Sequence, residues 1–421
     1  MNLKRLSDHD RNIIRRLALR KFELASTPDN LERKNAWYAL DEGSSGMRPM
    51  VLAEIWDAAA DTLPPSSFEC TGPDARFFEN ILRGELYQYE VLKDDHVIAP
   101  FFDVGWQVRV SDYGVHAEEH STDNQGMRSA KKWIPPLQNL QEDFTRLRPR
   151  TFSVDRKATL DYLAYVKELF DGVLDVRIRG GYWWTMGLTQ TAINLVGLDN
   201  LMLYMCMDPD GLHRFMAFLR DEALRQIDWL EKEQLFTLNN EHDYIGSGSI
   251  GYTRSLPRPG KKPNEPITGR DLWVLSESQE TVGVGPEQFG EFVLPYQAAV
   301  TNRFGKCYYG CCEPLHLRMP LLKKHMPNLA RVSVSPWADQ ELMARECGKD
   351  YVFSRKPHPT LVSTKEFDEA AIRADLEKTL TIARGCKLEL VLKDIHTLDG
   401  KPERLARWVA LARQAIDRLW R

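Results

Sequence analysis

Short apolar runs alternate with amphipathic segments through the second half of the chain. From about residue 170, each run is followed by polar or glycine-rich residues and then by a stretch with helical periodicity. The apolar runs lie at residues 174–181, 272–277, 306–314, 330–339, 351–359 and 388–396. The clearest helical stretches lie at 286–304, 368–384 and 402–419. Strands that alternate with helices in this way predict a parallel sheet.

Two further apolar runs, at 48–56 and 89–102, bring the number of βα units to eight. Eight units favour a TIM (β/α)8 barrel over an open sheet, and the chain lacks the glycine-rich dinucleotide loop typical of the open form. We therefore predict the α/β class and a single structural domain. A helical amino-terminal extension and first strand region would span residues 1–85, and the barrel would span 86–421.

Composition and charge argue against several classes of protein. A net charge of -4 gives no strong field for nucleic acid or an anionic membrane. No apolar run approaches the roughly 20 residues that a membrane helix needs, and the charged amino terminus lacks a signal core. We expect a cytoplasmic protein that acts on a small molecule. The seven cysteines are not spaced as a disulfide framework, so we expect reduced thiols.

Residues that can do chemistry come at or just after the ends of the predicted strands. In a βα barrel the active site lies at these carboxyl ends, so such residues would converge on one mouth. They are Glu277, Cys311, Cys312, Glu313, Asp339, His358, Asp394 and His396. A polar, glycine-rich loop at 239–249 is a candidate lid or substrate contact, with a solvated loop as the alternative.

Cys311 and Cys312 are the strongest candidates for metal ligands. Zinc takes about four ligands from thiolate, imidazole and carboxylate groups. The glycine and proline around the two cysteines indicate that the strand has ended, so both thiols could reach one ion. Glu277 and His396 would complete the site from neighbouring strand ends. The alternative is that both cysteines are small buried core residues.

Acid–base chemistry is a second possibility at the same mouth. Glu277 directly follows an apolar strand and could act as an acid or base if burial raises its pKa. Asp394 precedes His396 by two residues, so on an extended strand both would point to one side and the acid could orient the imidazole. A loop cap at Glu277 and a structural Asp–His pair are the alternatives.

Several stretches resemble the uroporphyrinogen decarboxylase superfamily, a family of TIM barrels. Residues 179–216 look like its glycine-rich strand end and the helix pair that follows. Residues 272–300 look like its fourth strand, loop and Pro-Tyr helix, and residues 401–416 resemble its last helix. The resemblance covers roughly residues 170–421.

The resemblance implies one of two reactions, and the site is closer to the methyltransferase branch. Those enzymes use zinc to activate a thiol that exchanges a methyl group with a corrinoid. Their fifth strand ends in His-x-Cys-Gly, to which Cys311 contributes the matching cysteine. Tyr309 stands at the histidine and Cys312 at the glycine, and Asp394 or His396 stands near a further cysteine of the family. The implied partners are zinc, a corrinoid and a corrinoid carrier protein.

Three aromatic rings at a strand end are candidates for contact with the corrinoid. Tyr182, Trp183 and Trp184 are consecutive, and flat rings suit a flat ligand such as a corrinoid or tetrapyrrole. Packing between strand and helix is the alternative.

Two other functions stay open. One is a metal-independent decarboxylase, in which Glu277 and His396 do acid–base work on a tetrapyrrole or a smaller carboxylate. The family's arginine-rich stretch for tetrapyrrole acids has only residues 46–51 as its counterpart. The other is a non-catalytic corrinoid- or tetrapyrrole-binding protein.

Overall fold

The computed structural model describes residues 6–45, 47–121 and 131–420. Its strands are β1 (Met50–Ala53), β2 (Phe101–Val104), β3 (Val108–Val110), β4 (Glu118–Ser121), β5 (Lys131–Ile134), β6 (Phe152–Val154), β7 (Asp175–Ile178), β8 (Tyr244–Gly246), β9 (Ser249–Ile250), β10 (Trp273–Ser276), β11 (Lys306–Tyr309), β12 (Leu329–Val334), β13 (Val352–Arg355) and β14 (Lys387–Leu392). Its helices are α1 (Asp8–Ala25), α2 (Pro28–Glu42), α3 (Ala59–Thr62), α4 (Pro73–Leu86), α5 (Leu140–Asp143), α6 (Arg156–Phe170), α7 (Thr189–Val196), α8 (Leu198–Met207), α9 (Pro209–Lys232), α10 (Pro286–Phe292), α11 (Leu294–Thr301), α12 (Met319–His325), α13 (Gln340–Cys347), α14 (Thr360–Ser363), α15 (Glu369–Ile382) and α16 (Glu403–Leu419).

A parallel sheet of six strands forms the centre of this α/β fold. Its order is β1-β14-β13-β12-β11-β10, and β2 and β7 form a separate parallel pair. All six strands predicted after residue 170 are present, as is β1. In the described ranges the two parallel sheets do not pair with each other. The α/β class is therefore confirmed, whereas a closed eight-stranded barrel stays a prediction.

The apolar run at 89–102, predicted as a strand, is extended into a strand only at its end, where β2 begins. Its first part forms a π-helical turn, and an extended link then leads to β2. The carboxylates of Asp94 and Asp95 explain this, because they accept hydrogen bonds from the backbone N–H groups of Ala53 (3.0 Å) and Val51 (2.7 Å). The link therefore lies along β1 through these side-chain hydrogen bonds and one backbone bond, in which Asp95 N–H donates to the Val51 carbonyl at 2.8 Å.

The helix predicted at 286–304 is two helices that meet at Val293. Pro295 is in the first turn of the second helix, where its missing N–H costs nothing. Proline inside a continuous helix would remove a hydrogen bond and clash with the preceding turn, which explains the break. The helices predicted at 368–384 and 402–419 are confirmed within two residues as α15 and α16.

The six-stranded sheet is buried on both faces, as parallel sheets are. Cys307, Tyr309 and Val332 point to the outer face and pack with the surrounding helices. Tyr308 and Leu275 point to the inner face, where they pack against Ile245 of β8. Neighbouring residues of one strand thus enter two different clusters, because side chains alternate along a strand.

The segment 239–250 lies on the inner face, where part of it lines a cavity and Ser247 lies beside Cys311. The alternative of a solvated loop is therefore wrong, whereas a contact with substrate stays a prediction. Asp243 pairs with Arg179 after β7 at 2.5 Å, and Ser249 accepts a hydrogen bond from Arg331 of β12 at 2.7 Å. Gly248 has φ +85°, and a Cβ there would lie 2.5 Å from a side-chain carbon of Val391. Polar residues of this segment pair with charged groups inside the fold. In the sequence alone, such residues look the same as residues exposed to solvent.

A group of paired charges, all buried except the half-buried Lys306, lies near the amino ends of the strands and is called here the base cluster. It consists of Asp41, Lys306, Arg331 and Glu389. Lys306 Nζ lies 2.7 Å from an Asp41 oxygen, and Arg331 Nη1 lies 3.2 Å from a Glu389 oxygen. The cluster connects α2 to three strands of the main sheet.

The amino-terminal segment is helical, as predicted. Ser7 and Thr27 cap α1 and α2 by accepting hydrogen bonds from backbone N–H groups three residues on. Apolar residues of α1 share a core with α4, α6, β2 and β7, so the extension packs on the smaller parallel sheet. No helix in the described part of the chain is long and apolar enough to cross a membrane.

Candidate active site

Reactive side chains meet at the carboxyl ends of four strands of the main sheet (β1, β14, β13 and β11) and at one hairpin turn. Glu54 follows β1, Lys356 follows β13, and Ser247 lies in the turn between β8 and β9. We call the whole group the mouth cluster; it consists of Glu54, Ser247, Cys311, Cys312, Lys356, Lys393 and Asp394. This is the edge of the sheet at which the strand pattern predicts an active site.

The two thiols lie at the centre of the mouth cluster. Cys311 Sγ is 3.6 Å from Cys312 Sγ and 3.5 Å from Lys393 Nζ. Lys393 Nζ also donates to Asp394 Oδ2 at 2.9 Å, and the Cys312 thiol lies 3.6 Å from the same oxygen. Cys311 is buried, whereas Cys312 is partly exposed. An ammonium, a carboxylate and two sulfurs thus form one connected group.

The turn after β11 positions Cys311. Gly310 has φ +99°, and a Cβ there would lie 2.5 Å from Leu315. The buried carboxyl of Glu313 then accepts hydrogen bonds from the backbone N–H groups of Cys311 (2.9 Å) and Ser278 (2.8 Å). Glu313 therefore connects the ends of β10 and β11 and holds the backbone that carries the thiol.

Two residues of the mouth cluster have left-handed backbones that non-glycine residues rarely adopt. Ser247 has φ 45° and Asp394 has φ 58°. Residues held in such conformations concentrate at functional sites, where the surrounding structure imposes them. Both lie beside the thiols: Asp394 contacts Cys312, and Ser247 interacts with Cys311. This coincidence supports the mouth cluster as the functional site.

The surroundings of Cys311 favour its thiolate. A hydrogen bond with Cys312 is the main cause that lowers the pKa of Cys311 to about 7; burial opposes it, and the Lys393 ammonium and Ser247 hydroxyl add to it. The pKa of Cys312 is raised, first by the same hydrogen bond and then by burial. Near neutral pH, Cys311 is therefore the nucleophile of the pair and Cys312 its hydrogen-bond donor.

Lys356 and Glu54 were not among the sequence candidates. Burial lowers the pKa of Lys356 to about 8, and burial raises the pKa of Glu54. Lys356 Nζ donates to the hydroxyl of Ser354, and no described carboxylate lies within ion-pair distance of it. Lys356 and Lys393 each directly follow an apolar strand, a signal that could have identified them along with the acids and histidines.

The structure places the predicted catalytic residues in different environments. Asp394 joins the thiols. Glu277 is fully buried, and its side chain accepts a hydrogen bond from Gln279 N at 3.0 Å, while its backbone and side chain approach Gly187 closely. Burial, with the charges of Glu280 and Glu313, raises the pKa of Glu277 to about 10, so this carboxyl is protonated at neutral pH.

The predicted alignment of Asp394 with His396 was wrong. It assumed an extended strand, but β14 ends at Leu392 and Asp394 has a left-handed backbone. Alternation of side chains therefore stops before the pair. His396 is exposed on the loop that follows.

Two other strand-end candidates have local structural roles. Asp339 caps α13 by accepting a hydrogen bond from Leu342 N, the alternative expected for an acid at this place. His358 Nδ1 lies 2.6 Å from the Thr360 hydroxyl, and its ring packs edge-on near Trp337.

The residues present do not fit a zinc ion. No group of three or more His, Cys, Asp or Glu side chains within the described ranges could hold a metal, so the set Cys311, Cys312, Glu277 and His396 is not assembled. The Lys393 ammonium contacts both a thiol and a carboxylate that a dication would need. Tyr309, at the family's histidine position, is buried on the outer face and donates to Gln297.

The aromatic residues expected at a corrinoid lie at a cavity of about 540 Å³ between β7 and β10. Tyr182 and Trp183 pack against Phe236, with ring centroids near 6 Å apart. Trp184 is 41% exposed, and its indole N–H reaches Tyr244 at 3.5 Å. The cavity volume is that of a small-molecule site, so a whole corrinoid does not fit inside it.

Comparisons with known proteins add little beyond this geometry. No family model matches the chain, and no curated protein matches it. A solved structure of a methyltransferase from Methanosarcina mazei aligns with 92% of this chain and 99% of its own, at 11% identity and a TM-score of 0.49. A similarity at this level carries no argument about function, and the superfamily resemblance stays a prediction.

Proposed function

We propose that this protein is a methyltransferase in which the Cys311 thiolate accepts the methyl group. One observation carries the proposal: Cys311 Sγ lies 3.5 Å from the Lys393 ammonium, at the carboxyl edge of a parallel sheet. A buried thiolate with a cation beside it is the form in which cysteine acts as a nucleophile. A closed (β/α)8 barrel is the frame we propose around it.

The proposed reaction has two balanced halves. In the first, a lone pair of Cys311 Sγ attacks the methyl carbon of a donor, an S–C bond forms, and the donor group leaves with the electron pair of the broken bond. In the second, an acceptor nucleophile attacks the same carbon and the S–C bond breaks. Its electron pair returns to sulfur as a thiolate, which Lys393 stabilises.

The neighbours of Cys311 have distinct roles in this scheme. Lys393 supplies the counter-charge, and Asp394 fixes its ammonium by a hydrogen bond of 2.9 Å. Cys312 donates a hydrogen bond to the thiolate. Lys356, a buried ammonium that contacts the Ser354 hydroxyl and the Tyr308 ring, adds positive potential at the same strand ends.

Zinc has no role in this proposal, because Lys393 contacts the groups that would bind it. A corrinoid on a carrier protein is our proposed partner in one half of the reaction, as the superfamily resemblance implies. It would approach from the side of Trp184, which is the most exposed of the three aromatic residues. No step above depends on the corrinoid.

The test is methylation of the purified chain, followed by peptide mass mapping. Methylcobalamin and methyl p-toluenesulfonate serve as donors, and metal content is measured on the same samples. We expect one added methyl group at Cys311, no zinc, no methylation of this site in Cys311→Ser, and a rate about tenfold lower in Lys393→Met. Lys401→Met, which removes an exposed ammonium, is the matched control and should behave as wild type.

Each result decides one part of the proposal. Methylation by the sulfonate ester alone would remove the corrinoid partner and keep the thiolate. No methylation of Cys311 by either donor, or equal rates in wild type and Lys393→Met, would overturn the proposal. About one zinc per chain that is lost in Cys311→Ser would restore the metal-thiolate reading.

The protonated carboxyl of Glu277 supports a second candidate function, a metal-independent decarboxylase (a lyase). A carboxyl that is protonated at neutral pH can deliver a proton to a carbon that has lost carbon dioxide. The lyase predicts that Glu277→Gln abolishes turnover and Cys311→Ser does not. The methyltransferase predicts the reverse, so the same two variants, assayed for methylation and for carbon dioxide release, separate the two functions.

A further inference from the structure

Cys311 and Cys312 are adjacent in the chain, and their sulfurs lie 3.6 Å apart. This distance is well beyond the roughly 2.05 Å of a disulfide. Neighbouring Cα atoms of a trans peptide are about 3.8 Å apart, shorter than the range of about 4.4–6.8 Å that disulfides span. Direct oxidation of the pair therefore requires backbone movement, whereas one atom placed between the sulfurs can bridge them.

We propose that Cys311 and Cys312 form a chelating dithiol site for a trivalent arsenical, such as arsenous acid or a mono-organoarsenical. The site needs two thiols on one side of a small atom, and the turn after β11 presents them in that way. This proposal concerns binding and is independent of methyl transfer.

The positive charge of Lys393 and the small number of ligands disfavour zinc at this site, but they do not disfavour trivalent arsenic. A zinc dication would be repelled by the Lys393 ammonium and would need about four ligands. A trivalent arsenic hydroxide is uncharged at neutral pH and makes three bonds. Two thiolates and one remaining hydroxyl or organic group complete it. Thiolates are soft ligands and suit such a soft centre.

The exposure of the two thiols gives an order of events. Cys312 is the partly exposed member and meets the reagent first. Its sulfur bonds to arsenic, an As–O bond breaks, and the hydroxide leaves as water with the thiol proton. Cys311 then attacks as the thiolate, and the second hydroxide leaves as water with a proton from the solvent. Two As–S bonds replace two As–O bonds, and arsenic stays trivalent.

The experiment uses phenylarsine oxide with the full-length reduced protein and no methyl donor. We expect one adduct per chain by native mass spectrometry and the loss of two of the seven titratable thiols. The adduct should survive a monothiol such as 2-mercaptoethanol and be reversed by 2,3-dimercaptopropanol, because only a dithiol competes with a chelate. Peptide mapping should place arsenic on the peptide that holds both cysteines.

Variants make the assignment specific. Cys311→Ser and Cys312→Ser should each lose the monothiol-resistant adduct. Cys386→Ala is the matched control, since it removes the partner of Cys347 in the other neighbouring pair of thiols, and it should keep the adduct. A retained adduct in Cys312→Ser, or none in the wild type, would overturn the proposal. Far-ultraviolet circular dichroism of each variant distinguishes loss of the site from loss of the fold.

Discussion

The base cluster and the mouth cluster lie toward opposite ends of the same six-stranded sheet, and both contain buried cations and acids. In the base cluster every charge has a partner: Arg331 pairs with Glu389, and Lys306 pairs with Asp41. In the mouth cluster the Lys393 ammonium is shared between a thiol and a carboxylate. Lys356 contacts a hydroxyl and the ring of Tyr308, and no carboxylate of the described residues pairs with it.

Protonation equilibria reflect this difference. Burial alone would raise the pKa of Asp41, but Arg331 and Lys306 reverse the effect and lower it, so the base carboxylate stays charged. At the mouth, burial raises the pKa of Glu54 and lowers that of Lys356 to about 8. Matched charges stabilise a fold, whereas incompletely matched ones can change protonation state near neutral pH, which is what catalysis needs.

The largest expected effect comes from breaking one pair of the base cluster. Arg331→Met leaves the carboxylate of Glu389 buried without a cation. We expect a loss of about 3–5 kcal/mol in the free energy of unfolding, the usual cost of an uncompensated buried charge. Urea denaturation measures it. The double variant Arg331→Met with Glu389→Gln should recover part of the loss, because it removes the orphaned charge.

A small effect of Arg331→Met, below about 1 kcal/mol, would contradict the structural role of the base cluster. The corresponding change at the mouth, Lys393→Met, should destabilise the fold much less. Lys393 lies beside the partly exposed Asp394. Its substitution removes one ion pair with Asp394 and one contact with Cys311.

Glu277 differs from the acids of the base cluster, because it is buried and no cation of the described residues pairs with it. Its pKa in the folded protein, about 10, lies above the ordinary glutamate value of 4.5. The folded state therefore binds one more proton than the unfolded state between these values. The contribution of Glu277 to stability is fully present below about pH 4.5 and is lost as the pH rises toward 10, by at most about 1.4 kcal/mol per pH unit.

Glu277→Gln should remove this dependence. The amide has the shape of the protonated acid and does not ionise, so the variant should gain stability relative to the wild type as the pH rises from 6 to 8. Urea denaturation at three pH values measures the difference. Glu287→Gln, at an exposed position of α10, is the matched control and should leave the pH dependence unchanged. Parallel curves for Glu277→Gln and wild type would show that Glu277 is ionised in the fold.

Lys393→Met tests the electrostatics of the mouth directly. Without the ammonium the pKa of Cys311 should rise, so less thiolate exists at pH 7 and its alkylation by iodoacetamide should slow by about tenfold. The pH profile of the alkylation rate should move upward from its midpoint near 7. An unchanged profile would mean that the ammonium does not lower the pKa of Cys311 and that the hydrogen bond from Cys312 is sufficient to do so.

Much of the fold was readable from the sequence, because parallel strands buried on both faces are continuous apolar runs. The strands after residue 170 and the turn that presents Cys311 and Cys312 follow that pattern. The segment 239–250 does not follow that pattern. It is polar because Asp243 forms an ion pair with Arg179 and Ser249 accepts a hydrogen bond from Arg331, both distant in sequence. Pairing between residues so far apart in the chain leaves no local pattern.

The site was predictable in place and only partly in composition. The rule of strand ends predicts that Cys311 and Asp394 lie close together, and the structure brings them together; their role in function stays a prediction. Glu54, Lys356, Lys393 and Ser247 were not singled out. Lysine and serine side chains usually face solvent, so their residue types did not mark them as buried. Their roles depend on burial and on a left-handed backbone at Ser247, and neither is visible in residue order.

The smallest expected effect concerns the hydroxyl of Ser247. It is buried and has no hydrogen-bond partner among the described residues other than its interaction with Cys311. Both Ser247→Ala and Ser247→Gly remove the hydroxyl, so both should slow the alkylation of Cys311 by a similar, few-fold factor. They should differ in stability, because φ is 45° at this position and glycine adopts such a backbone without strain.

We expect Ser247→Gly to be more stable than Ser247→Ala by about 1 kcal/mol in urea denaturation. Equal stabilities would mean that the turn between β8 and β9 relaxes when the hydroxyl is lost. A wild-type alkylation rate in both variants would mean that the hydroxyl does not stabilise the thiolate. In that case Cys312 and Lys393 alone distinguish the chemistry of the mouth cluster from the paired charges of the base cluster.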